Sequence, residues 1–400
     1  MIQQIKIKNF LSFKDEVTFS FEASKDRFAE ESQVVCIDEN TRLLRFAVIY
    51  GYNASGKSNL LKAFEFLTDF WTSKPNNMDL GTGVIPFKLD RTSANVPSYF
   101  ELLFFVDNTK YCYQLELDQY NVYLEKLSYY DSTQCVMLFE RTLKDGSSYI
   151  QFNPEKINVS DTARDMIQVN CLKNSSFFVA RSQVNVSLPK IDTAKDWMRK
   201  YLMPVILPTT DLTAYAQEKA LHNRELMDYI VKFLHEADFN VTDITSDVVS
   251  RQLSDNEVRT TFEHTVENNN GTETFLMDKS HESTGTMRTF GLETAVYYAL
   301  NNEALLPIDE LETSLHPLLL EKILFEYLKT PARSQLIVTT HNDGLLDLLD
   351  DLIRRDSVWF TEKQRTGITE LYKLTDFKGQ DRLSSIREAY RNKRFGATMS

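Results

Sequence analysis

Several things are scarce in this 400-residue chain, and each scarcity closes off a class of protein. There are four cysteines, Cys36, Cys112, Cys135 and Cys171, scattered and without a CxxC pair. That excludes a disulfide-stapled secreted scaffold and a thiolate metal cluster, and fits free thiols in a reducing compartment. No apolar run reaches the roughly 18 residues needed to span a membrane. The segment Met1 to Phe10 alternates Lys with Ile and Phe, the pattern of a strand and not of a signal peptide. A cytoplasmic protein with no membrane association is expected. Basic residues are also outnumbered: 45 Lys and Arg face 57 Asp and Glu, a net charge of −12. Phosphate contacts supply most nucleic-acid affinity, so DNA is not favoured as the main partner, although a local basic surface remains compatible. No internal repeat, low-complexity segment or long heptad stretch is present, which excludes coiled-coil arms. No Cys/His metal cluster and no serine or cysteine nucleophile arrangement is found.

What is present is the composition of a folded protein, 42% hydrophobic and 26% charged, with enough length for a substantial core. Gln4–Phe10, Glu16–Phe21 and Leu43–Tyr50 read as strands, and Ser58–Phe70 has helical spacing of Leu60, Leu61, Phe64 and Leu67. Residues 98–153 alternate Tyr, Phe, Val and Leu with polar residues, as an antiparallel sheet does. From Ala194 to about Asp247 the pattern turns helical. Beyond Glu273 comes strand or turn, then helix (Thr286–Asn301), strand (Leu305–Ile308), helix (Leu318–Lys329), strand (Gln335–Thr339) and helix, the alternation of an α/β layer. The expected organisation is a nucleotide-binding lobe at 1–182, a helical insertion at 183–270, an α/β lobe completing the same head at 271–375, and a basic tail at 376–400. In that tail Arg382, Arg387, Arg391, Lys393 and Arg394 read either as a solvated helical face or as a docking site for an acidic partner or for nucleic acid.

Gly51-Tyr-Asn-Ala-Ser-Gly56-Lys57-Ser58 matches GxxxxGK[ST] between an expected strand and an expected helix. The glycines let the backbone N–H groups of Asn53, Ala54, Ser55 and Gly56 wrap around phosphate. The helix that follows, beginning near Asn59, adds its positive end. Lys57 would reach the terminal phosphates and Ser58 would ligate Mg²⁺. The apolar strand ending in Asp309-Glu310 supplies a second Mg²⁺ ligand in Asp309 and a base for the attacking water in Glu310. His341 ends another apolar strand, placed to donate to the γ-phosphate or to steady that water. Ser283-Thr-Gly285 opens a helix, where hydroxyl and N–H groups face an anion as readily as they cap the helix.

The order of phosphate loop, Ser-x-Gly, Asp-Glu and His resembles the ATP-binding-cassette heads. It is closer to the structural-maintenance-of-chromosomes and overcoming-lysogenization-defect branch than to transporters. Ile308-Asp-Glu-Leu-Glu-Thr-Ser-Leu-His-Pro317 resembles the Walker-B and D-loop segment of prokaryotic ABC-like ATPases of antiphage defence loci. Arg355-Asp-Ser-Val-Trp-Phe-Thr-Glu-Lys363, Arg387-Glu-Ala-Tyr390 and Arg394-Phe-Gly-Ala397 resemble the ending of that group, and Ile7-Lys-Asn-Phe-Leu-Ser-Phe13 and Pro86-Phe-Lys-Leu89 its opening. The resemblance spans nearly the whole chain and is weakest over 190–270. It implies an α/β fold, an ABC-type P-loop ATPase head with an antiparallel β lobe and a helical insertion, and it implies ATP and Mg²⁺ as ligands. It also implies that Ser283 and Gly285 reach the γ-phosphate of an opposite subunit, with Ser314, Leu315 and His316 as D-loop. Gln183 would sense Mg²⁺ and the attacking water, and Asn9 would lie beside the adenine. The signature departs from the Leu-Ser-Gly-Gly of transporters.

The function so implied is an ATP hydrolase acting as a homodimer or higher homo-oligomer, the sensor or scaffold subunit of an antiphage system like PARIS or Septu. It would answer a phage-derived trigger and control a separately encoded, nuclease-like toxic effector. Only 59 residues follow His341, too few for a Toprim nuclease, so the chain is expected to lack an effector of its own. Two alternatives stand beside this: a DNA-binding repair clamp, marked by salt-sensitive DNA stimulation of hydrolysis, and an assembly scaffold with negligible turnover.

Overall fold

Two hydrophobic cores lie back to back across one strand, Phe46–Tyr50. Phe46, Val48 and Tyr50 enter one core, Ala47 and Ile49 the other. This is the two-residue alternation of a strand buried on both faces. The protein, a computed structural model, is described at every residue except 75, 76, 78, 222, 238, 252–254, 270, 381, 382 and 398–400.

In chain order the first strands are β1 (Ile2–Lys8), β2 (Val17–Ser20), β3 (Val34–Cys36), β4 (Arg42–Leu44) and β5 (Phe46–Tyr50). A meander follows: β6 (Ser98–Val106), β7 (Thr109–Leu117), β8 (Val122–Asp131), β9 (Gln134–Lys144) and β10 (Ser147–Phe152). Then come β11 (Val241–Arg251), β12 (Asp255–Asn268), β13 (Gly271–Asp278), β14 (Leu305–Ile308), β15 (Gln335–Thr339), β16 (Val358–Lys363) and β17 (Thr369–Lys373). The helices are α1 (Glu30–Gln33), α2 (Lys57–Thr72), α3 (Asp161–Asn170), α4 (Phe177–Arg181) and α5 (Pro189–Tyr201). The rest are α6 (Leu212–Ala220), α7 (Arg224–Glu236), α8 (Thr284–Asn301), α9 (Pro317–Lys329) and α10 (Ile386–Arg391).

The central sheet has the order β14-β15-β5-β16-β17, parallel except for the last strand. On one face it packs against α2 and an antiparallel sheet ordered β10-β9-β8-β7-β6-β1-β2. On the other it carries α8, α9 and α10. The phosphate loop therefore leaves the middle strand, His341 follows β15 beside it, and Asp309 follows β14, one strand further out. Among the described residues no helix is long and apolar enough to cross a membrane.

The antiparallel sheet over 98–153 and the strands flanking the phosphate loop stand where expected. Three expectations do not. The insertion is helical only through α7, and β11, β12 and β13 then form a separate three-stranded antiparallel sheet. Val241, Ile244 and Val248 fall at the three- and four-residue spacing of a helix, which is why the stretch reads as one, whereas the β-branched Val, Ile and Thr of 241–248 suit a strand. After β15 the chain makes a 3-10 turn over Asp343–Leu348, then the β16–β17 hairpin, instead of a helix. Residues 376–400 are not a loose basic tail. Ile386, Ala389, Phe395 and Ala397 are buried in the second core. Arg387 and Arg391 are spent on Asp343, with Asp347 a further partner of Arg387. Arg382 lies outside the described residues.

Helix α8 is clasped on both sides. A Cβ at Gly291 would collide with the Leu212 side chain of α6 and lie 3.2 Å from its carbonyl oxygen, so only glycine permits this approach. Two residues on, Glu293 is fully buried and accepts a hydrogen bond from Tyr229 Oη of α7 at 2.8 Å. Burial pushes its carboxyl up to about 8; Glu326 adds to this, while Tyr229 and Lys322 oppose it. Between the usual value of 4.5 and about 8 the folded protein holds a proton that the unfolded chain has released. Stability therefore falls as pH rises through that window. Glu293→Gln, which keeps the acceptor for Tyr229, is expected to match the parent in urea midpoint near pH 5 and to exceed it increasingly toward pH 8. Parallel midpoint curves would show that the carboxyl is ionised in the fold.

Candidate functional site

Helix α2 begins at Gly56, whose φ of 110° suits glycine, and no side chain caps its first turn. Its leading N–H groups are thus left for an anion. Neighbours hold the loop in shape. A Cβ on Gly51 would strike Ser55 and Thr361, and one on Gly56 would strike Thr369 and Ser12. Ser55 Oγ shares a hydrogen bond with Thr361 Oγ1 at 2.6 Å. Thr369 Oγ1 donates to the Ser55 carbonyl at 2.7 Å, and Asn59 Nδ2 donates to Ser12 Oγ at 2.7 Å. The β16–β17 hairpin and the turn after β1 therefore cradle the loop, a support that single Ser and Thr residues in the sequence do not announce.

A cleft of about 440 Å³ opens over it, lined by Asn53, Ala54, Ser55, Gly56, Lys57, Ser58, Asn59, Lys62, Glu310, His341 and Lys363. Ser58 Oγ donates to Asp309 Oδ1 at 2.9 Å, across 251 residues of sequence. Asp309 also accepts from Thr339 Oγ1 at 2.6 Å, and Thr339 Oγ1 accepts from the Glu310 N–H at 2.8 Å. One threonine thus sets both acids. Glu310 adopts a φ of 49°, a sparsely populated conformation for a residue with a side chain, and its carboxylate lies 3.6 Å from His341 Nε2. His341 in turn lies 3.2 Å from Lys57 Nζ, which also donates to the Gly51 carbonyl at 2.8 Å. Burial lowers the Lys57 ammonium to about 8, against the pull of Asp309, Glu310 and Glu312. Glu312 accepts from the His341 N–H at 2.5 Å and from Thr340 Oγ1 at 2.8 Å. It positions the histidine, and the acidic run around it gave no sign of that role.

A hydroxyl and a carboxylate in contact, beside a cradle for phosphate, are the oxygen donors that Mg²⁺ takes with nucleotide phosphates. Ser58 and Asp309 fit that ion. Among the described residues no group of three or more His, Cys, Asp or Glu side chains could hold a metal by itself, so the nucleotide would complete the shell.

Other expected site residues stand apart. Gln183 accepts from Lys74 Nζ and donates to the Val179 carbonyl. Lys74 lies beyond the C-terminus of α2, a helix of 16 residues and so roughly 24 Å long. A residue at its far end does not reach the Ser58 pocket, which corrects the Mg²⁺-sensing role. Asn9 is also otherwise engaged: it donates to the Ser93 and Val96 carbonyls and accepts from the Phe87 N–H, pinning a loop. Ser283 caps α8 by accepting from the Thr286 N–H at 3.0 Å. A Cβ on Gly285 would lie 3.6 Å from the Ser314 carbonyl oxygen, so the start of α8 and the turn at Ser314 adjoin. Neither Ser283 nor Gly285 lines the cleft.

No curated protein matches the sequence. Among solved structures the chain is similar to the "SMC head domain from Thermotoga maritima", with 13% identity, a TM-score of 0.44 and coverage of 93% of this chain and 98% of that one. It is also similar to the "Smc head domain with an extended coiled coil bound to the C-terminal domain of ScpA derived from Pyrococcus furiosus", with 12% identity, a TM-score of 0.45 and coverage of 98% of each. A family model matches residues 46–162 and 215–347, taking in the phosphate loop, the signature, Asp309-Glu310 and His341. With more than half its length so matched and a P-loop ATPase head for a fold, the chain belongs to the family described as "AAA domain, putative AbiEii toxin, Type IV TA system".

Proposed function

We propose that the chain binds ATP with Mg²⁺ in the cleft over residues 51–58 and hydrolyses it at a site completed by a second subunit. The observation that carries this is a division of labour. The phosphate loop, Glu310 and His341 line one cleft, with Asp309 behind Ser58 as its hydrogen-bond acceptor, while Ser283 and Gly285 sit outside it at the start of α8. A pair able to hold phosphate but absent from its own cleft suits the cleft of another copy.

In this reading the loop N–H groups and Lys57 hold the phosphates, and Ser58 and Asp309 hold the ion. Bound Mg²⁺ supplies charge neutralisation on the phosphate oxygens. Glu310 takes the proton from the attacking water, and His341, held by Glu312, faces the transferred group. Splitting the site makes dimer geometry follow nucleotide state, so the energy is spent on switching. The switch would serve an antiphage system in which this chain senses a phage-derived trigger and restrains a separately encoded toxic effector. The family description names a toxin of a toxin–antitoxin system, which supports a toxin-linked setting and says nothing of a separate effector.

The test is the mass of a Glu310→Gln protein with and without ATP and Mg²⁺. A nucleotide-dependent doubling is expected. A monomer under both conditions would overturn the composite site, and a dimer formed without nucleotide would make the assembly a standing scaffold. For the defence role, full phage protection by this chain expressed alone would sink the two-component reading.

A further inference from the structure

Half of the net charge of this protein is concentrated in one tenth of its length. Residues 241–282 hold nine Asp and Glu against three Lys and Arg, a net −6 within the −12 of the whole chain. Those residues form the sheet β11-β12-β13 and the short lead into the signature. The inner face of the sheet is anchored: Ile244 and Phe262 are buried, and Phe262 meets Phe290 of α8 edge to face. Its outer half is not. β11 begins at Val241, opposite His264, so from Thr265 onward β12 pairs with β13 alone. A ribbon of two strands is marginal in water without something to pack on. This one exposes Val266 and Phe275 on the same face as Phe262, and Leu276 on the other. Glu273, the cross-strand partner of Val266, is exposed on that same face, and Glu267 is exposed on the face of Leu276.

The arm is coupled to the signature. β13 ends at Asp278, five residues before Ser283, and His264 of β12 contacts Glu282 at 2.6 Å. Wherever Ser283 docks, the arm docks beside it.

The rim of the nucleotide cleft carries the opposite charge. Leu11 donates to the Ile85 carbonyl, and Leu89 packs over Gly367 in the turn whose following Thr369 props Gly56. The loop 85–91 and the β16–β17 turn therefore flank the phosphate loop. Lys62, Lys88, Arg91 and Arg365 are exposed there and Lys363 is half-buried. Among the described residues none of the five has an ion-pair partner, whereas Asp90 on the same loop is already taken by Lys14. Ile85 and Leu89 are exposed between them.

We infer that the β12–β13 ribbon is a dimerisation arm that clasps the cleft rim of a second copy of this chain. On one face of the ribbon Glu273 meets Lys88 and Arg91, and Val266 and Phe275 cover Ile85 and Leu89. The inference rests on the composite site, because seating Ser283 in a partner's cleft is what brings the arm to that rim. The pairing is reciprocal, as a two-fold interface requires. Its charge makes the closed dimer sensitive to salt and steers the encounter of two molecules that otherwise repel as polyanions.

The experiment uses the full chain carrying Glu310→Gln, with ATP and Mg²⁺, and reads the dimer dissociation constant by sedimentation equilibrium. Reversing the arm (Glu273→Lys) or the rim (Lys88→Glu with Arg91→Glu) is expected to weaken the dimer about tenfold or more, because attraction becomes repulsion at the interface. ATP affinity of the arm variant's monomer should not change. Combining the three substitutions in one chain is expected to restore the parent constant within about threefold, since these contacts are then reversed on both sides. An arm variant that dimerises like the parent, or a combined variant that stays weaker than the rim variant's ATP affinity accounts for, overturns the arm. A parent that never dimerises with ATP overturns the composite site and the arm together, so the two failures are distinct.

Discussion

Glu310→Gln is expected to slow single-turnover ATP hydrolysis by about 10²–10⁴-fold, the range in which a positioned general base contributes, while ATP affinity stays within about twofold of the parent. The geometry is the reason. The Glu310 N–H is pinned to Thr339 Oγ1, which also donates to Asp309, so the backbone that aims the side chain is shared with the ion site. Glutamine retains the shape and the hydrogen-bonding reach of glutamate but accepts no proton at neutral pH. The ion site itself, Ser58 with Asp309, is untouched by the change. Rapid-quench measurement at enzyme excess separates chemistry from product release. A variant hydrolysing at the parent rate would remove Glu310 from the chemistry. It would favour an assembly in which nucleotide sets shape and is scarcely turned over.

The second large effect is on stability, far from the cleft. Glu125 and Arg141 pair at 3.1 Å with both side chains fully buried. The carboxylate also accepts from Tyr113 Oη at 3.0 Å, Ser176 Oγ at 2.6 Å and the Phe177 N–H at 2.7 Å. The guanidinium donates to the Leu172 and Ser175 carbonyls and to Ser148 Oγ. The network ties β8 and β9 to the start of α4. Glu125→Ala would leave a cation in the core without its counter-charge, a change that costs about 3–5 kcal/mol in buried pairs. A lower urea midpoint at unchanged slope is the expected observation. Replacing both partners by apolar residues, Glu125→Leu with Arg141→Met, should recover only part of the loss: no charge is then stranded, but Tyr113, Ser176 and the Phe177 N–H lose their acceptor. A loss below about 1 kcal/mol for Glu125→Ala would mean that water reaches the site and solvates Arg141.

What could be read beforehand follows from how the chemistry is written in a chain. Binding a phosphate with backbone N–H groups needs contiguous residues of defined type, so Gly51 to Ser58 identified themselves. The strand-ending acids Asp309-Glu310 and the strand-ending His341 did so by order and company, and the structure brings all of them to one cleft. Ser12, Thr339, Thr361 and Thr369 each act through one hydroxyl, and a lone hydroxyl has no spacing to recognise. Gln183 shows the converse. A glutamine at a plausible place in the order ends up bonded to Lys74 at the wrong end of α2, because order along the chain carries no information on which end of a 16-residue helix the chain returns to.

The sequence alone thus determined the central layer and which residues of the phosphate loop and the strand ends meet at the cleft. Alternation on β5 and the glycines beside it are local properties, and local sterics and hydrogen bonding settle them without reference to the rest of the fold. Tertiary structure decided which hydroxyls prop the loop, where Gln183 lies, that 241–278 is a sheet, and that the basic C-terminal residues serve Asp343 and the second core instead of the solvent. Each of those depends on contacts between segments tens to hundreds of residues apart. Burial and the pairing of charges exist only once those segments are packed together, so no window of sequence contains them.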